Sequence, residues 1–108
     1  MTKYLFMCRE GQKRSPMAAE VAREIAQERD RKIEMHFGPV PETTPNPLIQ
    51  RHLGGYDKIF VMESWMARRV RDQGYEGKLV NLRIGDNGYA ADDPRLRATL
   101  RNRLKKFV

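Results

Sequence analysis

Two rhythms of apolar and polar positions alternate along this chain. Lys3-Tyr4-Leu5-Phe6-Met7 is a short apolar run with little alternation, as expected of a strand buried on both faces. After the polar stretch Arg9 to Ser15, the residues Met17, Ala18, Val21, Ala22 and Ile25 recur at helical spacing, with Glu20, Arg23, Glu24 and Glu28 mainly on the other side. Ser15 is expected as the cap of this helix and Pro16 as its first residue. Lys32 to Phe37 alternates Ile33, Met35 and Phe37 with Lys32, Glu34 and His36, the pattern of an edge strand with one wet face. Gly38 to Pro47 is rich in proline and reads as a loop; Leu48 to Leu53 reads as a short helix stopped by Gly54-Gly55. Lys58-Ile59-Phe60-Val61-Met62 is the clearest buried strand. A helix is expected from about Glu63 to Gln73, with Met66 and Val70 inward and Gly74 as its stop. Leu79 to Leu82 gives a fourth strand, and Gly85 to Asp92 a loop. The last helix starts at Asp93-Pro94, with Leu96, Leu100, Leu104 and Phe107 on one side.

Four strands alternating with four helices predict an α/β architecture in three layers: a four-stranded parallel sheet flanked by helices. At 108 residues, one domain spanning 1–108 is expected, long enough for an unaided core. No apolar run approaches the roughly 18 residues a membrane span needs. The start, Met1 to Cys8, has too short an apolar stretch for a signal peptide, so a cytoplasmic protein with no membrane partner is expected. One cysteine rules out an internal disulfide, and with two histidines it argues against a structural zinc site. The formal charge of +7 favours anionic partners without choosing among them. Arginines cluster in Arg68-Arg69-Val70-Arg71 and in Arg95 to Lys106, and solvated helix faces account for most such runs.

In parallel α/β sheets, ligands bind beyond the carboxyl ends of the strands. The loop after the first strand holds that place and reads Cys8-Arg9-Glu10-Gly11-Gln12-Lys13-Arg14-Ser15-Pro16. It has neither the glycines of a dinucleotide fingerprint nor the Gly-Lys-Ser/Thr ending of an ATP-binding loop. A cysteine, five residues, an arginine and a serine lead into a helix N-terminus. Such a loop can curl so that successive N–H groups converge on one anion, aided by the helix dipole. Arg14 would grip two phosphate oxygens through its planar fork. Cys8 would lie at the floor, where the helix end, Arg14 and the Ser15 hydroxyl all favour thiolate over thiol. Breaking a phosphate ester also needs a proton for the leaving oxygen. Asp93 is the first candidate, although an Asp before a Pro at a helix start is also an ordinary cap; Asp92 and, more weakly, Asp86 are the substitutes.

These residues, in this order, resemble the low-molecular-weight protein tyrosine phosphatases, and in particular a shorter branch of predicted phosphatases. The resemblance covers essentially the whole chain. It rests on Cys8…Arg14-Ser15-Pro16, on Asp93-Pro94, and on Asp57-Lys58-Ile59-Phe60-Val61-Met62-Glu63, which is similar to the family's third strand and following turn. It implies a metal- and cofactor-free phosphomonoesterase, with phosphotyrosine the expected substrate, acting through a phosphocysteine intermediate. Cys8 would be the nucleophile, Arg14 and the backbone N–H groups of Arg9, Glu10, Gly11, Gln12 and Lys13 would bind the phosphoryl oxygens, Ser15 would hold the thiolate, and Asp93 would be the acid. Where the family usually has Gly and Asn, two and three residues after the cysteine, this chain has Glu10 and Gly11. Where it commonly has aromatic residues after Asp-Pro, this chain has Arg95 and Leu96, leaving Trp65 or Tyr89 to supply an aromatic wall.

The expected partner is thus a phosphorylated protein or a small phosphomonoester, and no pattern sets an oligomeric state. The principal rival is a non-catalytic domain that keeps the phosphate cradle and binds phosphate or nucleic acid. The charge fits it, but no aromatic interleaving or RNA-binding signature accompanies the arginines. Arsenate reduction on this fold relays oxidation through further cysteines, and with Cys8 alone an internal relay is impossible. A redox-sensing thiol would oxidise at Cys8 without turnover.

Overall fold

The computed structural model describes residues 1–85, 88–90 and 92–108. Its elements follow in strict alternation: β1 (Thr2–Cys8), α1 (Arg14–Glu28), β2 (Ile33–Pro39), α2 (Pro47–Gly54), β3 (Lys58–Val61), α3 (Ser64–Asp72), β4 (Lys78–Asn81) and α4 (Pro94–Leu104). All pairings are parallel and the strand order is β2-β1-β3-β4. This is the expected α/β sheet flanked by helices, with β2 on the edge its alternating pattern requires. Strand boundaries differ slightly from expectation: β4 ends at Asn81, and Leu82 continues as a buried residue whose N–H reaches Val61 O.

The order explains where a site forms. The β1–α1–β2 unit moves to one side of β1, and β3–α3–β4 moves to the other side of β3. Right-handed crossovers then put α1 and α3 on opposite faces, and the chain diverges between the carboxyl ends of β1 and β3. α4 packs beside α1 on the sheet. The core is built from β1, the inner stripe of α1, β3 and the leucines of α4, with Phe6, Ala18, Phe60, Met66, Leu96, Leu100 and Leu104 wholly buried. The Phe6 and Phe60 rings stack at 4.6 Å, fixing β1 against β3 immediately beneath the divergence.

The start of α1 departs from the expectation. Ser15 is not the cap: Lys13 holds that position without a side-chain bond, the helix begins at Arg14, and Ser15 and Pro16 are its second and third residues. A proline is tolerated there because the N–H groups of the first turn have no intrahelical acceptor. Ser15 is released from capping and turns its hydroxyl to Cys8 instead. Asp93 does act as a cap, its Oδ1 accepting from the Arg95 N–H at 2.8 Å at the start of α4. Among the described residues, no helix is long and apolar enough to cross a membrane.

Candidate functional site

The loop between β1 and α1 wraps a cleft of about 160 Å³ lined by Cys8, Arg9, Glu10, Gln12, Lys13, Arg14 and Tyr89. Cys8 and Arg14 are buried at its base, whereas Arg9, Glu10, Gln12 and Lys13 are exposed around it. The loop closes because Gly11 takes φ +69°, a left-handed conformation that glycine adopts without strain. Contact demands glycine there as well. A Cβ on Gly11 would stand 2.7 Å from both Gly38 C and Pro39 N at the end of β2. Gly11 therefore provides the turn at the position where the resembling family has asparagine.

Cys8 Sγ lies 3.2 Å from Ser15 Oγ, and both residues are buried. Burial pushes the Cys8 thiol up, but the Ser15 hydroxyl and the backbone N–H groups of Ser15, Gly11 and Lys13 outweigh it. The thiol is held below the ordinary cysteine value. Those N–H groups are the orphan donors of a helix start and a curled loop, so the device that would receive an anion also favours the thiolate.

Arg14 reaches across the divergence of the sheet. Its Nη1 donates to Glu63 Oε2 at 2.9 Å and to the Ile84 carbonyl at 2.7 Å. Glu63 occupies the cap position of α3 yet makes no capping bond, and its carboxylate goes to Arg14 instead. The guanidinium is thereby fixed by groups following β3 and β4 while its other edge remains for a ligand. No local pattern in the sequence assigns Glu63 this role. The signal the sequence does carry is an acidic residue closing a buried strand, at the carboxyl end where ligands bind in parallel sheets.

The predicted site residues thus divide. Cys8, Arg9, Glu10, Gly11, Gln12, Lys13, Arg14 and Ser15 form one continuous loop around the cleft. Asp93 is not among its lining residues. Asp93 Oδ2 accepts from Arg95 Nη2 at 2.9 Å, and the Arg95 side chain and N–H hold its carboxyl below the usual carboxylate range. A chain of contacts still links it to the cleft, because the Arg95 guanidinium lies 5.9 Å from the centre of the Tyr89 ring. Asp92 is exposed, and Asp86 lies outside the described residues. Of the two aromatic candidates, Tyr89 lines the cleft. Trp65 borders a neighbouring one, lined by Arg9, Val40, Trp65 and Arg69. Among the described residues, no cluster of three or more His, Cys, Asp or Glu side chains offers a metal site.

No protein-family model matches the sequence, and no curated protein matches it. Solved structures do. A low molecular weight protein tyrosine phosphatase from Bacillus subtilis, determined in solution, superposes with a TM-score of 0.68 at 20% identity, over 97% of this chain and 98% of that one. SP-PTP, a low molecular weight protein tyrosine phosphatase from Streptococcus pyogenes, gives a TM-score of 0.74 at 16% identity, over 99% and 91%. The arginine phosphatase YwlE, in a cysteine-to-serine mutant whose active-site serine is phosphorylated, gives 0.74 at 17% identity, over 98% and 93%. The chain has the low-molecular-weight protein tyrosine phosphatase fold.

Proposed function

We propose that this protein is a cysteine-dependent phosphomonoesterase acting on phosphotyrosine, with Cys8 as nucleophile. The observation that carries the reading is the single loop in which a thiol held below its ordinary pKa, converging N–H groups and a braced arginine share one small cleft. The Cys8 thiolate attacks phosphorus in line; the P–S bond forms as the ester P–O bond breaks. Arg14 and the loop N–H groups from Arg9 to Lys13 hold the three equatorial oxygens, whose charge they offset better than water does. Asp93 protonates the leaving oxygen. Its carboxylate then takes a proton from the water that attacks phosphocysteine, releasing phosphate and restoring the thiolate. For this the Asp93 side chain must leave Arg95; the Arg95 guanidinium, 5.9 Å from the centre of the Tyr89 ring that lines the cleft, supports an exchange toward that side.

The structures similar to this chain include a protein tyrosine phosphatase and an arginine phosphatase. Arg9, Lys13 and Arg14 face the cleft against one carboxylate, Glu10. A surplus of cations favours an ester with a neutral or anionic leaving group over a phosphorylated guanidinium.

The test is hydrolysis of p-nitrophenyl phosphate between pH 5 and 8 in EDTA, by wild type, Cys8→Ser, Asp93→Asn and Asp92→Asn. Turnover that falls to background in Cys8→Ser is expected, with a loss of about 10²- to 10⁴-fold in Asp93→Asn and little in Asp92→Asn. Vanadate binding without turnover by a folded wild type would favour a non-catalytic phosphate-binding domain and overturn the proposal.

A further inference from the structure

Beside the cleft lies a second concavity of about 480 Å³ lined by Arg9, Val40, Trp65 and Arg69. Arg9 borders both. The two are also tied through the backbone, since the Val40 N–H donates to the Cys8 carbonyl at 3.0 Å. The half-buried Trp65 indole organises the wall: the Arg9 guanidinium carbon lies 5.6 Å from its centre and that of Arg69 5.1 Å. Stacking of this kind orders a guanidinium while leaving its N–H edge free to bind a planar anion.

Most other arginines of the molecule are committed. Arg97 pairs with Glu20 and Glu24, Arg101 with Glu28, Arg95 with Asp93 and Arg14 with Glu63. Arg71 and Arg103 donate to backbone carbonyls. Among the described residues, neither Arg9 nor Arg69 has a carboxylate partner, and no carboxylate lines the concavity that they share. Two ordered guanidiniums without a counter-ion, adjoining a phosphate cradle, form a site for a second negative charge on the molecule that brings the phosphate.

We propose that Arg9, Trp65 and Arg69 form a specificity subsite for a carboxylate flanking the phosphorylated residue, so that the preferred substrates are acidic phosphopeptides. The proposal rests on the phosphatase reading and names its substrate class. Arg69 is the determinant that can be changed cleanly, because it lies on α3 outside the cradle, whereas Arg9 serves both sites.

Three phosphotyrosine peptides of equal length, flanked by Glu, Gln or Lys, test it. The Glu peptide is expected to exceed the Gln peptide in kcat/KM by about threefold to tenfold, mostly through KM, with the Lys peptide lowest. Arg69→Gln is expected to bring the three together while leaving p-nitrophenyl phosphate hydrolysis unchanged. Trp65 is the sole tryptophan, so its fluorescence reports occupancy directly, and Cys8→Ser titrated with the same peptides should show the same order of affinity. Equal kcat/KM for all three peptides, or an acidic preference that survives Arg69→Gln, overturns the subsite and leaves the phosphatase reading intact. Loss of the phosphatase reading shows instead as absent p-nitrophenyl phosphate turnover. In that case the fluorescence titration of wild type still decides: a Glu-peptide response removed by Arg69→Gln supports the subsite, and no response overturns it. A single-stranded oligonucleotide that quenches Trp65 at lower concentration than the Glu peptide would overturn the assignment of the subsite to acidic peptides.

Discussion

Ser15 shows how one hydroxyl is placed by what it does not do. Were it the cap of α1, its oxygen would accept an N–H bond of that helix and Cys8 would be left among apolar neighbours, which raises a thiol pKa. The helix instead begins two residues earlier, at Arg14 and not at Pro16, and the hydroxyl stands 3.2 Å from the sulfur as a donor to the thiolate. Ser15→Ala removes that donor while burial remains, so the thiol pKa rises. The acid limb of the kcat/KM profile for p-nitrophenyl phosphate should move to higher pH, and the midpoint of Cys8 alkylation by iodoacetate with it. Turnover at pH 6 should fall about tenfold, the loss of one hydrogen bond to a charged group. The same shift bears on stability. Because the folded thiol sits below its ordinary value of about 8.5, its contribution is fully present above that pH and is lost as pH falls through the folded value. In Ser15→Ala this window should narrow. An alkylation midpoint that stays in place would show that the N–H groups alone hold the thiolate.

Among the elements, strands and helices were legible because burial imposes period two or a continuous apolar run on strands and a 3.6-residue stripe on helices. Cys8, Arg14 and Ser15 were legible as a set because a single loop joins them as neighbours in sequence. Glu63 and Ile84 were not, since their bonds to Arg14 span 49 and 70 residues and depend on strand order, which no local pattern encodes. Ser15 reads as a cap in the sequence because capping propensity is local, whereas its bond to Cys8 depends on how the loop folds back. The start of α4 is the opposite case: Asp93-Pro94 reads as a helix cap and is one, but the same carboxyl is the proposed acid. Arg95 holds that carboxyl low by its side chain, its N–H and its charge, which suits a cap and opposes a proton donor at neutral pH. In Arg95→Gln the backbone bond survives and the charge-assisted bonds weaken, so the Asp93 pKa rises. If Asp93 is the acid, it stays protonated to higher pH, and the alkaline limb of the pH–rate profile moves up. An unmoved limb would point to Asp92.

At the scale of the whole molecule, α4 decides whether the proposed acid and the cradle belong to one rigid body. Two kinds of contact hold it against α1. Arg97 and Arg101 form ion pairs with Glu20, Glu24 and Glu28 across the outer faces of the two helices. Beneath them Leu96, Leu100 and Leu104 are wholly buried. The arginine run of α4 is therefore partly spent on α1, and the molecule's net charge overstates its free cationic surface. The two kinds of contact are unequal. Ion pairs near solvent are screened and must order long side chains, so each adds little. Removing a buried leucine side chain forfeits its transfer energy and leaves a cavity, which costs about 2–5 kcal/mol, out of a total stability of about 5–15 kcal/mol for a chain of this kind. Leu100→Ala should accordingly lower the unfolding free energy in urea by about 2–5 kcal/mol, whereas Arg101→Ala should barely move the midpoint. Rising salt should leave that ranking unchanged. Near its midpoint, Leu100→Ala should lose turnover in step with α4, because Asp93 sits at the start of that helix; a cradle that still bound vanadate while turnover fell would show that α4 can detach ahead of the β1–α1 loop. An Arg101→Ala variant as unstable as Leu100→Ala would mean instead that the ion pairs, and not the leucines, hold the helix in place.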